Sequence, residues 1–327
     1  FVHSVGLIGM RNIRDYKGKI REDRESLGSA SPFNIVSEVF TLRNFTQEET
    51  ERLYAQHTEE TGQVFSPKAA GRLYHYTQGQ PWLVNAAAKE IAVKILDSDY
   101  SRTVLPEHAE QAVQSIILRR DTHIDSLLER LKEERVRKVV EPVIVGKQEG
   151  FSLTDDDYRY VLDLGLLKNE KGVLRPSNPV YGEVIIRELS SAPQMAMDSS
   201  GYPPTGPAYL SGGKLDMTGL LSDFQEFWRE HSEIWEERFQ YKEAAPHLVL
   251  TAFLQRAVNA GGRITREMAS GRGRLDMCVH YGDRRYPAEL KIRYGPGTCD
   301  EGKKQLSKYL DKTGCAEGWL IVFDRRK

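Results

Sequence analysis

Cysteine is scarce in this chain: Cys278, Cys299 and Cys315 are the only three in 327 residues, and they lack metal-ligand spacing. That excludes a disulfide-stapled scaffold and a cysteine-based zinc framework, and makes a reducing cytosol the expected compartment. No apolar run reaches the ~18 residues of a membrane-spanning helix and no signal peptide opens the sequence, so a soluble protein with no membrane partner is expected. An excess of one charge is also missing, because 46 Lys and Arg oppose 47 Asp and Glu. The whole chain therefore has no bias toward polyanions. A loop to cradle ATP phosphates is lacking too. The nearest approach, GPAYLSGGKL at 206–215, has Ala208 where such a loop needs Gly and Leu215 where it needs Ser or Thr. No internal repeat is present.

What is there suffices for two or three globular domains: 39% of residues are hydrophobic and 28% charged. The charge is unevenly placed. Residues 261–327 hold 15 Lys and Arg against 9 Asp and Glu, a net of +6, which leaves -7 for the rest of a chain whose total is -1. A basic C-terminal part suits a phosphate backbone as partner without requiring one.

The opening, FVHSVGLIGM, does not begin with Met and reads as a buried strand, which predicts that the chain continues a longer protein. SPFNIVSEVFTLRNF is a second strand-like run. Helices follow: TQEETERLYAQHTEETG with Thr46 as N-cap and Glu49 three residues on, SPKAAGRLYHYTQGQ, and PWLVNAAAKEIAVKIL with Pro81 in its first turn. From about Asp121 the order becomes helix, helix, hairpin around 169–172, helix, which is that of a winged helix. Asp155, Asp156 and Asp157 at the start of its second helix favour packing against neighbours over DNA binding. Residues 191–215 are rich in Pro, Gly and Ser without periodicity and read as a linker. The expected divisions are 1–100, 101–190, the linker 191–215, and a last domain 216–327 that folds by itself. That domain reads as helix, broken near Pro246, then three strands, helix and strand.

Within it, GRLDMCVHYGDRRYPAELKIRY (273–294) reads as two strands about a Gly282-Asp283 turn. The turn pairs Tyr281 with Arg284 and Val279 with Tyr286, and so sets Asp276 opposite Glu289. Alternation sends Met277, Val279, Tyr281, Ala288, Leu290 and Ile292 to one face and Asp276, Glu289 and Lys291 to the other. One face packs and the other is left for chemistry. Facing carboxylates repel unless a cation lies between them, and two carboxylates on rigid strands suit Mg²⁺. The plainer alternative is that Glu289 and Lys291 form an ordinary exposed pair on a polar face.

Strand order and the two-part motif together resemble the PD-(D/E)XK nuclease superfamily, from about Glu233 to the end. Asp276 matches its central acid, with Leu275 in place of the name-giving Pro, and Glu289-Leu290-Lys291 matches the second half. Glu243 matches an additional acid found in many members, and Gln305 with Tyr309 matches a Gln-x-x-x-Tyr on the following helix. The resemblance implies an αβββαβ, restriction-endonuclease-like mixed sheet after a helical lid and winged helix, an α+β multidomain chain overall. It implies Mg²⁺ or Mn²⁺ on Asp276, Glu289 and Glu243, with Lys291 orienting a water and Gln305 at the site's edge. Arg272, Arg274 and Arg293 are the candidates for backbone phosphates. Plain alternatives stand beside these: Glu243 as a solvated residue near a helix N-terminus, Gln305 facing solvent, and Glu267 as the competing acid.

Upstream, VGLIGMRNIRD resembles the sensor-one strand of AAA+ and STAND-type ATPases, and TQGQPWLVN their lid. This implies an ATPase core in a longer parent protein that binds ATP before Phe1, with Asn12 and Arg14 as nucleotide sensors and a site for self-assembly or partner binding. The expectation is a metal-dependent nuclease, acting on DNA and controlled by an ATPase, as in mobile-element or phage-defence proteins. The alternative is a regulatory ATPase fragment that binds nucleic acid without cutting.

Overall fold

The computed structural model describes residues 42–119, 121–144, 156–200, 206–238, 244–258, 262–265, 277–293 and 295–324. The chain is α+β: among the described residues, helices and one small hairpin lie up to residue 200, and a four-stranded sheet with flanking helices follows. The strand-like run at 1–10 and residues 31–41 of the one at 31–45 lie outside the described residues, as do Asn12 and Arg14, and 42–45 form no strand. No helix among the described residues is long and apolar enough to cross a membrane.

Local sequence explains the first helices. Helix α1 (Gln47–Thr61) starts at Thr46, whose hydroxyl accepts from the Glu49 amide at 3.2 Å while the Glu49 carboxylate accepts from the Thr46 amide at 2.8 Å. Helices α2 (Pro67–Thr77) and α3 (Pro81–Lys89) each begin with the proline that tolerates a missing amide donor. Between them Gly79, at φ 69°, passes so close to Phe45 that a Cβ would sit 1.9 Å from its carbonyl oxygen. Only glycine fits that approach. Helix α3 runs into a π-helical turn, Glu90–Ile95, where buried Glu90 accepts from Ser115, and pairs with Lys94 at 3.1 Å and with Arg119 at the end of α4 (Pro106–Arg119).

Helices α5 (Thr122–Leu131), α6 (Glu134–Ile144) and α7 (Asp156–Asp163) precede the antiparallel hairpin β1 (Leu167–Glu170) and β2 (Val173–Pro176), and α8 (Pro179–Ser200) follows. Asp155 lies outside the described residues. Its neighbours Asp156 and Asp157 both pair with Arg135 of α6 at 2.9 Å, and that guanidinium lies 4.1 Å from the centre of the Tyr160 ring. The acidic helix start is thus bound up in contacts within the fold.

The linker expected over 191–215 is corrected. Helix α8 continues to Ser200 in spite of Pro193, and a short 3-10 turn (Gly206–Tyr209) and a two-residue hairpin, β3 (Leu210–Ser211) with β4 (Lys214–Leu215), follow residues 201–205. The reason is tertiary. Met197 is 1% exposed and its carbonyl accepts from the Arg256 guanidinium at 3.2 Å, so packing overrides the weak helical propensity of Pro, Ser and Gly. Leu215 is likewise tied down, its amide donating to the Tyr286 hydroxyl at 2.9 Å.

Helix α9 (Met217–Arg238) and helix α10 (Ala244–Val258) come next, with Pro246 in the first turn of α10. The sheet has the order β5 (Gly262–Thr265), β6 (Met277–Tyr281), β7 (Arg284–Ile292), β8 (Trp319–Phe323), antiparallel except for the parallel β7–β8 pair, which α11 (Thr298–Thr313) connects. Helix α10 is apolar nearly all round, as a helix buried on two sides must be. It packs on α9 and β5 and on α8 opposite. Most buried hydrophobic residues form one connected set from Tyr54 to Phe323, and Cys278 with Leu306 forms a second, small cluster.

Candidate functional site

The hairpin β6–β7 has the register that its turn implies. Gly282, at φ 55°, takes the first central position, and Tyr281 pairs with Arg284, Val279 with Tyr286 and Met277 with Ala288. Met277, Val279, Ala288 and Leu290 lie in the main core. The opposite face carries Cys278, Glu289 and Lys291, flanked on β8 by Leu320, the partner of Glu289, and Val322, the partner of Lys291.

That face is not open, which corrects the expectation of one packed and one free side. Helix α11 covers it. Leu306, Tyr309 and Leu310 of α11 pack with Cys278 and Leu320, and burial pushes the Cys278 thiol above its ordinary range. At Gly302 the helix comes so near the strands that an added Cβ would lie 2.6 Å from Leu320 Cδ1 and 3.2 Å from Lys291 Cγ. Gly302 was not among the residues that sequence reasoning singled out. The signal was there in an isolated glycine inside a helical pattern, three residues before Gln305.

Under this cover Glu289 is 1% exposed, and Lys291 Nζ donates to its Oε1 at 2.7 Å. Lys291 keeps 22% of its side-chain surface. The pair is therefore not the ordinary exposed ion pair of the plain alternative: one member is in the protein interior and the other reaches its edge. Gln305 is only partly exposed. Its Oε1 is buried, with no hydrogen-bond partner among the described residues. Arg293 continues the parallel ladder, its amide donating to the Phe323 carbonyl at 2.9 Å, and its guanidinium pairs with Asp324 at 3.0 Å. It is half-buried and already holds a carboxylate.

The structure thus brings Glu289 and Lys291 together and sets Gln305 in the helix above their strand. Asp276, Glu243, Glu267, Arg272 and Arg274 lie outside the described residues. What is described around Asp276 is its chain neighbour: Met277 pairs with Ala288, which precedes Glu289. Among the described residues there is no group of three or more His, Cys, Asp or Glu side chains that could share a metal.

A family model described as a domain of unknown function, DUF8371, matches residues 223–327, from within α9 to the end of the chain. No curated protein matches the chain. No solved structure matches it either.

Proposed function

We propose that the C-terminal part is a nuclease domain of the PD-(D/E)XK kind that hydrolyses phosphodiester bonds in nucleic acid, DNA first of all, with Mg²⁺ or Mn²⁺. One observation carries the reading: a fully buried carboxylate, Glu289, bonded at 2.7 Å to the ammonium of Lys291 on a strand whose register ends beside Asp276 in the sequence. The helix, three-strand, helix, strand order of residues 217–323 supports it.

The donor set suits a hard divalent cation. Glu289 presents a carboxylate from the middle of a paired strand, where it cannot drift, and Asp276 and Glu243 would add carboxylates from the adjoining segments. When bound, such a cation supplies Lewis-acid polarisation of the phosphoryl oxygen and of water. The chain's own groups do the rest. Lys291, whose stem lies beneath Gly302 and whose side chain keeps part of its surface, donates to a water or to the oxygen on which charge develops. Glu289 holds that ammonium in place. Gln305 offers a carboxamide to position substrate or water, and Arg272 and Arg274 would take backbone phosphates. We place control of this activity in an ATPase module of a longer parent protein, for which the lid-like helices α1–α3 and the winged-helix order of α5–α8 are the support.

The non-cleaving alternative draws on the cover itself, since a Glu–Lys pair beneath a helix also serves as a structural lock. Incubation of labelled duplex and single-stranded DNA and RNA with the chain, with and without Mg²⁺ or Mn²⁺, separates the two. Metal-dependent cleavage that disappears in Asp276→Asn, Glu289→Gln and Lys291→Ala, each still folded, is expected. Intact substrate under every condition would leave a nucleic-acid-binding domain as the better reading.

A further inference from the structure

The last strand of the sheet is an open edge. Strand β8, with the sequence WLIVF, is apolar throughout, and among the described residues the order β5-β6-β7-β8 leaves its outer side without a strand. Both of its faces are covered. On one, Leu320 packs with Cys278 and Leu306 under α11. On the other, the Trp319 ring lies 5.9 Å from that of Tyr286, and the Phe323 ring lies 5.5 Å from that of Trp228. Even so, Trp319, Leu320, Ile321 and Val322 are only half-buried, whereas residues 286–290 of the neighbouring β7 are all buried. With both faces packed, that exposure comes from the edge.

The backbone says which groups the edge offers. The Phe323 carbonyl accepts from the Arg293 amide at 2.9 Å, so residues 319, 321 and 323 turn their amides and carbonyls toward β7. Leu320 and Val322, between them, turn theirs outward. Among the described residues these outward groups have no hydrogen-bond partner. Sheet edges are usually guarded by a lysine, a proline or a bulge, and β8 has no charge, proline or glycine in it. The opposite edge, β5, is one residue shorter and includes Arg263 in its sequence. Donors and acceptors that alternate along an apolar strand call for another strand. A phosphate backbone does not fit, because it has nothing to donate to the Leu320 and Val322 carbonyls.

We propose that the partner is β8 of a second copy of this chain, running antiparallel across a two-fold axis at Ile321. The edge is complementary to itself in that register. Rotation about Ile321 sets Leu320 of each copy opposite Val322 of the other, so outward residues meet outward residues and exchange four hydrogen bonds. Leu320 meets Val322 on the α11 face and Ile321 meets Ile321 on the other, so only apolar side chains face each other across the new pair. Asp324, the acid that follows the strand, comes opposite Gly318 and not opposite another acid. The two four-stranded sheets then form one continuous sheet. The pairing does not depend on the nuclease reading. If that reading holds, it sets the two Glu289–Lys291 pairs on the same face, three strand spacings or about 14 Å apart.

Sedimentation velocity of the full chain from about 1 to 100 µM should show a monomer–dimer equilibrium. Val322→Pro removes an outward amide and no bond to β7, a change that an edge strand tolerates. It should raise the dissociation constant at least about tenfold and leave the circular dichroism spectrum that of the parent. Cross-linking tests the register. Ile321 is the residue that meets its own copy, at the Cα separation of about 4.5 Å that a disulfide can span. Ile321→Cys treated with oxidised glutathione should therefore give a disulfide-linked dimer. Val322→Cys, which meets Leu320, should stay at the background set by the native Cys278, Cys299 and Cys315 of the parent chain. If Val322→Pro does not fold, the cysteine pair decides. The proposal is overturned if the parent chain is monomeric up to about 100 µM, or if folded Val322→Pro dimerises as the parent does. It is equally overturned if Ile321→Cys links no faster than Val322→Cys.

Discussion

At the scale of single residues, the Glu289–Lys291 pair makes unequal demands on its members. Lys291 can turn its ammonium to solvent, but Glu289, 1% exposed, cannot follow. Lys291→Ala leaves a buried carboxylate without that ammonium and should cost about 3 kcal/mol, whereas Glu289→Gln should cost about 1 kcal/mol. The double change Glu289→Gln with Lys291→Met should be less destabilising than Lys291→Ala alone, and chemical denaturation of the three variants checks the order. Glu289→Gln costs rather than gains stability because the ammonium sits on Glu289 itself. A pH prediction belongs to the other end of the described chain. The Arg43 side chain and the Thr46 amide hold the Glu49 carboxyl at about 2, well below its ordinary range. A depressed carboxylate stabilises the fold above its unfolded pKa, and that contribution is lost as pH falls through about 2. The start of α1 should therefore loosen only in strong acid, and Arg43→Ala should shift the Glu49 titration upward when followed by carbon-detected nuclear magnetic resonance.

At the scale of elements, what could be read from sequence was whatever local chemistry decides. The capping box at Thr46 and Glu49, the proline starts of α2 and α3 and the Gly282-Asp283 turn are written in neighbouring residues, and the structure has them where the residues imply. The hairpin register follows because a slip by one position would drive Glu289 and Lys291 into the core face. Two features were illegible for the same physical reason, since both arise from contacts between distant segments. Residues 191–200 are helical because Met197 is buried and bonded to Arg256, and nothing nearby in sequence announces that. The cover over Glu289 depends on how closely α11 approaches β7, which Gly302 sets. Gly302→Ala tests that approach. Alanine gains about 1 kcal/mol in helix propensity, while its Cβ must displace the end of Leu320 and press on the Lys291 stem. The two effects should leave stability within about 1 kcal/mol of the parent. Gly302→Leu, which cannot be absorbed by the end of one side chain, should cost about 1–3 kcal/mol. A Gly302→Ala protein that cleaves like the parent would show that the position of the Lys291 stem is not critical to the proposed chemistry.

At the scale of the molecule, the composition of residues 191–215 suggests a boundary, but the packing of α10 puts the physical division elsewhere. Leu248, Val249, Leu250, Phe253 and Leu254 are each at most 1% exposed, which one sheet on one side cannot achieve for a helix. The second side is α8, which belongs in sequence to the winged-helix segment. A chain cut at residue 216 therefore loses the cover of α10, and it also loses β4, whose Leu215 amide bonds to Tyr286 in the middle of the sheet. Each apolar side chain so uncovered forfeits about 1.5–3 kcal/mol, and two or three of them match a large part of the whole stability of an ordinary domain. Residues 216–327 should consequently be unfolded or aggregated alone, although the family match at 223–327 lies entirely within them. Residues 177–327 restore α8 with Asn178, whose side chain accepts from the Tyr181 amide at 2.8 Å to start that helix. This longer piece should melt cooperatively, and circular dichroism on heating compares the two. A cooperative transition in the shorter piece, at the temperature of the longer one, would mean that the sheet and α9 suffice to bury α10 and that the seam with α8 is a contact between independent units. Loss of cooperativity on removing α8 would instead make the seam part of one core.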